Sequence, residues 1–160
     1  MPKRFLAWLG LALVVIVLDQ ATKQLIEATL LYQQRHVVIP GFFDLTRVYN
    51  PGAAFSFLAD AGGWQKHFFT GLGLVVSAFL ILQLKKHPEQ TRISLAFALV
   101  LGGALGNVID RIAFGHVIDF LLFYIGNHAY PAFNIADSAI CVGAALMVWD
   151  SFAGRNKEQA

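Results

Sequence analysis

Four long apolar stretches of this chain carry no charge: Phe5 to Leu18, His67 to Leu84, Ile93 to Ile109, and Ser138 to Trp149. The last reaches back to Ile135 if Asp137 is admitted. A membrane span needs about 17–25 residues. The second and third runs suffice alone, and the first and fourth suffice if Asp19 and Asp137 sit at or just inside the membrane edge. The pattern predicts a mainly α, polytopic membrane protein: one domain over 1–160, with spans at 5–25, 66–84, 93–110 and 135–152 and outer segments at 26–65 and 111–134. Lys3-Arg4 before an apolar run resembles a secretory signal. No small-x-small cleavage site follows Leu18, however, so the first run reads as a retained span. In the first outer segment, Val37 to Gly41, then Phe42 to Tyr49, then Asn50-Pro51-Gly52 read as short strands broken by turn residues. Such strands would make a small sheet resting on the membrane surface. Only the polar tail, Gly154 to Ala160, reads as frayed.

Composition agrees with burial in lipid. Hydrophobic residues make up 57% of the 160 and charged residues 14%, against roughly 45–50% and about 25% in soluble domains. Twelve basic and ten acidic residues leave a net charge of +2, too balanced for a phosphate-binding surface, and nucleic-acid binding is excluded. One cysteine, Cys141, permits no internal disulfide and no cysteine zinc cluster, and is expected to pack inside an apolar segment. Lys3 and Arg4, Lys85, Lys86 and Arg92, and Arg155 and Lys157 fall in three short segments on one side. By the positive-inside rule both termini are then cytoplasmic, and Tyr32, Tyr49, Tyr124 and Tyr130 lie on the outer side.

With that orientation the acids gather. Asp19 ends the first span, Asp110 ends the third, Asp137 begins the fourth, and Asp119 lies in the outer connection within Val117-Ile118-Asp119-Phe120. Acids at membrane depth are costly and mark functional sites by default. Asp19 and Lys23, at i and i+4, also fit a helical ion pair worth a few tenths of a kcal/mol. Asp110-Arg111 also fits a helix end at the interface, and Asn134 to Asp137 a capping-box helix start. Asp119 has the weakest structural explanation. Two close carboxylates in a low-dielectric site share one proton, and such a pair performs acid-base hydrolysis without a metal. The start of the fourth helix favours the charged form of Asp137, leaving Asp119 as the protonated partner.

Other chemistry is thinner. His116 and Asp119 at i, i+3, with His128 nearby, lack a zinc-binding pattern, and no metal is expected. Ser56, Ser138 and Cys141 have no elbow or triad context. Gly102 and Gly106 form a Gly-x-x-x-Gly pair suited to close helix packing. For Asn107, bonding to a neighbouring helix or to a peptide backbone fits equally well.

Five strings occur in order at the outer ends of these spans: LDQATK (Leu18 to Lys23), NPGAAFS (Asn50 to Ser56), GGALGNVIDR (Gly102 to Arg111), VIDF (Val117 to Phe120) and FNIADSAI (Phe133 to Ile140). Over nearly its whole length the chain resembles bacterial lipoprotein signal peptidases, also called signal peptidase II. The resemblance implies an intramembrane aspartic peptidase of the bacterial inner membrane that cuts prolipoproteins before a cysteine carrying diacylglycerol. It also implies a surface β-cradle and a mobile outer segment over the site. Asp119 and Asp137 match the family's catalytic dyad. Asp19, Lys23, Asn50, Gly52, Asn107, Arg111, Asn134 and Ala136 match positions that shape the site or hold substrate backbone, and Asp110 is grouped with them. The expected partners are lipid-modified signal peptides and membrane lipids, with no cofactor and a monomeric enzyme. A proton-coupled transporter, the alternative, would need acids along a path through the bilayer; a non-catalytic membrane chaperone or lipid-binding scaffold would tolerate loss of both aspartates.

Overall fold

A computed structural model describes residues 3–52 and 63–158. Four long helices carry the chain: α1 (Lys3–Thr29), α2 (Gln65–Lys86), α3 (Thr91–Ala113) and α4 (Ile135–Glu158). Each is long and apolar enough to cross a membrane. Their order alternates direction, so the end of α1, the start of α2, the end of α3 and the start of α4 meet at one end of the bundle. At the other end Trp8 donates to the Pro88 carbonyl at 2.9 Å and Arg4 pairs with Glu89 at 3.0 Å. That ion pair is exposed and adds little.

α3 is the central helix and packs on all three others. Of its apolar stretch 61% is buried, against 22%, 17% and 11% in α1, α2 and α4, whose outer faces are left for lipid. Small residues put it there. A Cβ on Gly102 would lie 2.7 Å from the Ala12 carbonyl and from Val15 of α1, and one on Gly106 would meet Asp19 Oδ2 at 2.6 Å. A Cβ on Gly103 would collide with the Ala136 carbonyl of α4. Close backbone approach of this kind takes the place of a hydrophobic driving force between helices in lipid. Away from the sheet the bundle closes on an apolar core of Phe5, Ala12, Leu80, Leu84, Val100 and Leu101.

A four-stranded antiparallel sheet, in the order β1-β2-β3-β4, sits at the other end. Its strands are β1 (Arg35–Ile39), β2 (Phe43–Asn50), β3 (Val117–Ile125) and β4 (His128–Ala129). Gly41, at φ 78°, makes the turn between β1 and β2. β3 is a correction to the sequence reading, which took Asp119 to lie in a connection. Val117 to Phe120 are all buried, so no inside-outside alternation announces the strand. Arg47 ties the sheet to α1 by donating to the Leu30 carbonyl at 2.9 Å and pairing with Glu27 at 3.2 Å, which satisfies the helix's open end. α4 continues to Glu158, so the tail from Gly154 extends the helix instead of fraying at that point. The Ala53 to Ser56 part of the NPGAAFS string, with Ser56 itself and any covering segment before Gly63, lies outside the described residues.

Candidate active site

The charged and amide groups assigned to the site above, Asp19, Lys23, Asn50, Asn107, Asp110, Arg111, Asp119, Asn134 and Asp137, meet where the helices reach the sheet. Asn134, just before α4, is the hub. Its side-chain oxygen accepts from the Asp137 N–H at 2.9 Å, and its own N–H donates to Asp137 Oδ2 at 3.3 Å, a reciprocal helix cap. The same side chain donates through Nδ2 to Asp119 Oδ1 at 2.7 Å. One asparagine thus holds both carboxylates. The second oxygen of Asp137 accepts from Asn107 Nδ2 at 2.8 Å, and the second oxygen of Asp119 accepts from Asn50 Nδ2 at 3.1 Å. Asn50 also accepts from the Gly52 N–H at 3.0 Å, and the Gly52 carbonyl accepts from Arg111 at 2.9 Å. Arg111 lies over the Phe69 ring, and its Nε is buried without a partner among the described residues.

Behind these groups lies a layer with no exposure at all. Lys23 Nζ donates to Asp19 Oδ2 at 2.7 Å and to Asn107 Oδ1 at 3.0 Å, and forms an ion pair with Asp110 Oδ2 at 2.8 Å. The helical pair expected for Asp19 and Lys23 is present, but as part of a fully buried cluster, and a surface-pair magnitude does not apply. Each acid of the cluster also grips backbone. Asp110 accepts from the Ile118 N–H at 3.2 Å, next to Asp119, and Asp19 accepts from the Ala136 N–H at 2.9 Å, next to Asp137.

Gln20, which sequence reasoning passed over, donates to Asp110 Oδ1 at 2.7 Å and to the Gly106 carbonyl at 3.2 Å. The signal was available, since Gln20 is an uncharged polar residue between two charged ones in an apolar helix. His116 and His128 are not brought to the dyad: His116 stacks on Tyr49 at 4.0 Å and His128 pairs with Ile125 at the edge of the sheet. Ser138 donates to the Asn134 carbonyl at 2.9 Å. Cys141 corrects the packing expectation, because its thiol is exposed and faces the groove described next.

Asp119 and Asp137 line a groove of about 900 Å³ between helices and sheet. Its walls are mostly apolar, including Phe69, Leu72, Val76, Val108 and Phe133, and Asn107 and Arg111 reach into it. Asp119 itself is only 2% exposed. Burial and the facing Asp137 carboxylate push its carboxyl up to about 7, against the hydrogen bonds from Asn50 and Asn134. At neutral pH the site therefore holds a carboxyl able to keep or give a proton.

Residues 11–153 match the family model for signal peptidase (SPase) II. The chain belongs to the signal peptidase II family. Similar relatives include the lipoprotein signal peptidases of Cupriavidus necator, 57% identical over 91% of this chain and 82% of that one, and of Neisseria meningitidis, 56% identical over 93% and 90%. A bacterial membrane enzyme solved in meso at 2.3 Å resolution matches with a TM-score of 0.85 at 31% identity, covering 94% of this chain and 90% of that one. A second, at 1.9 Å, matches with a TM-score of 0.78 at 32% identity. Signal peptidase II membership makes this chain a peptidase with four membrane helices.

Proposed function

We propose that this chain is an intramembrane aspartic endopeptidase that removes the signal peptide from diacylglyceryl-modified prolipoproteins, cutting on the amino side of the lipidated cysteine. The observation that carries the reading is the pair of carboxylates, Asp119 and Asp137, held by Asn134 on one apolar groove. Asp137, the base, takes a proton from water as the water oxygen attacks the scissile carbonyl carbon. Asp119 enters protonated, hydrogen-bonds the carbonyl oxygen and stabilises the charge that develops there. As the tetrahedral intermediate collapses, the C–N bond breaks and a proton passes to the leaving nitrogen, giving a carboxylate and a free amine. Asn107 and Asn50 fix the carboxylates, and Arg111 Nε offers a donor to a substrate carbonyl. The Lys23 cluster is a positioning layer, holding through Asp110 and Asp19 the backbone on either side of the dyad.

The substrate suits the groove. A signal peptide is an apolar helix, and its lipidated cysteine rests at the edge of the hydrocarbon, where the helices meet the sheet. The similar relatives are lipoprotein signal peptidases, which favours the same substrate. Basic residues at the opposite end favour a site near the periplasmic face of the inner membrane, with both termini cytoplasmic. The test is cleavage of a diacylglyceryl-modified precursor by Asp119→Asn and Asp137→Asn protein. Each is expected to lose on the order of 10²- to 10⁴-fold in rate; full activity at normal protein levels in either variant overturns the dyad.

A further inference from the structure

A second cavity, of about 490 Å³, opens on the sheet instead of among the helices. Thr46, Val48 and Asn50 of β2 line it with Gln33 and Arg35. Its inner wall is Asp119 together with Asn50 and residues 130–132, and these same residues form one wall of the apolar groove. Asp119 therefore stands between two compartments of different character, one largely apolar and facing the helices, the other mixed, more polar and facing the sheet. Two features mark the polar one. Arg35 is exposed and forms no ion pair among the described residues. Gln33, on the rim, is the one non-glycine described residue with a left-handed backbone, φ 61°, a conformation fixed by its N–H donating to the Arg47 carbonyl at 2.7 Å.

We propose that this polar cavity is the subsite for the first residues of the mature chain, those that follow the lipidated cysteine, bound in extended form and favoured when acidic. The inference rests on the peptidase reading. A peptide bond cleaved at Asp119 has chain on both sides of it. The apolar signal helix and the lipid fit the groove, so the polar chain beyond them leaves past the other side of Asp119. An extended chain advances about 3.3–3.6 Å per residue, so two or three residues after the cysteine come within reach of Arg35. That guanidinium, with no carboxylate of its own, selects for a carboxylate on the substrate.

The experiment uses two lipidated precursors that differ only at the second and third residues after the cysteine, Asp-Asp in one and Lys-Lys in the other. The ratio of their kcat/KM values is measured within each enzyme, so any difference in the amount of folded protein cancels. The wild type is expected to favour the acidic precursor by about three- to fivefold, the size of one exposed ion pair, and Arg35→Glu to reverse that order. Lys66→Glu makes the same charge change at the start of α2, on a residue that lines neither cavity, and is expected to keep the wild-type ratio. A wild-type ratio near one, an unchanged ratio in Arg35→Glu, or an equal shift in Lys66→Glu overturns the subsite. Asp119→Asn separates the two levels of the proposal. If it cleaves both precursors normally the dyad reading has failed, whereas if it is inactive and the Arg35→Glu ratio is unchanged only the subsite has failed.

Discussion

Replacing Lys23 by Met removes the one cation from the buried cluster while keeping most of the side-chain volume. Its ammonium lies 2.7 Å from Asp19 and 2.8 Å from Asp110, and all three side chains are fully buried. At an effective dielectric of about 20, each such contact is worth about 6 kcal/mol before the cost of desolvation. Most of that is offset by desolvation, and loss of one partner from a buried pair costs about 3–5 kcal/mol in practice. Here two acids lose the same partner and face each other, so the upper end of that range is expected. Thermal unfolding of the purified protein in detergent should fall by on the order of 10 °C. Neutralising the acids as well, in Lys23→Met with Asp19→Asn and Asp110→Asn, removes the uncompensated charge and should recover at least about half of the loss. A single variant that unfolds within about 3 °C of the wild type, or a triple variant no more stable than the single, would refute the account of the cluster as a mutually dependent unit.

Three other outcomes follow from the geometry. Gly103→Ala places a methyl against the Ala136 carbonyl and 2.8 Å from Ile140; it should cost about 1–3 kcal/mol and lower cleavage by displacing Asp137, whereas Gly71→Ala, with nothing within 4 Å, should change neither. Asn134→Ser keeps a helix cap but has no amide to reach Asp119, so unfolding temperature should hold within a few degrees while kcat falls at least about tenfold; equal losses in stability and rate would reduce Asn134 to a cap. Because the Asp119 carboxyl sits near 7 in the folded site, single-turnover cleavage should decline as pH rises through that value and its proton is lost. A rate flat from about pH 6 to about pH 9 would show that this proton is not used. The same shift has a stability sign. The folded state holds the Asp119 proton more tightly than the unfolded chain, so this group's contribution to folding falls as pH rises from its ordinary value of 3.8 to about 7 and is lost in full above that.

The four helices were readable because hydrocarbon leaves a chain no choice but long apolar runs, and the acids stood out against that background. The capping geometry at Asn134 was readable for a different reason, since it is local and spans four residues. What was hidden depended on contacts across the chain. Nothing in Asp19 and Lys23 announces Asp110, 87 positions on from Lys23, as their third member. β3 was hidden because both faces of its first four residues are covered, which erases the alternation that reveals a strand. Cys141 was misplaced because an apolar helix says which residues avoid water, and not which of them face a groove.

The two acids that meet on Lys23 come from different segments, Asp19 from α1 and Asp110 from α3, and they grip the backbone ahead of Asp137 and Asp119 respectively. In a chain threaded into the bilayer from its amino terminus, the first helix carries a lysine and an aspartate whose partners have not yet been made. The third helix brings the second acid, and only the fourth brings Asn134 and Asp137. A nascent chain stalled before its last span thus holds neither a complete dyad nor the amide that joins it. Under the proposed mechanism, proteolytic competence arrives with the final insertion step.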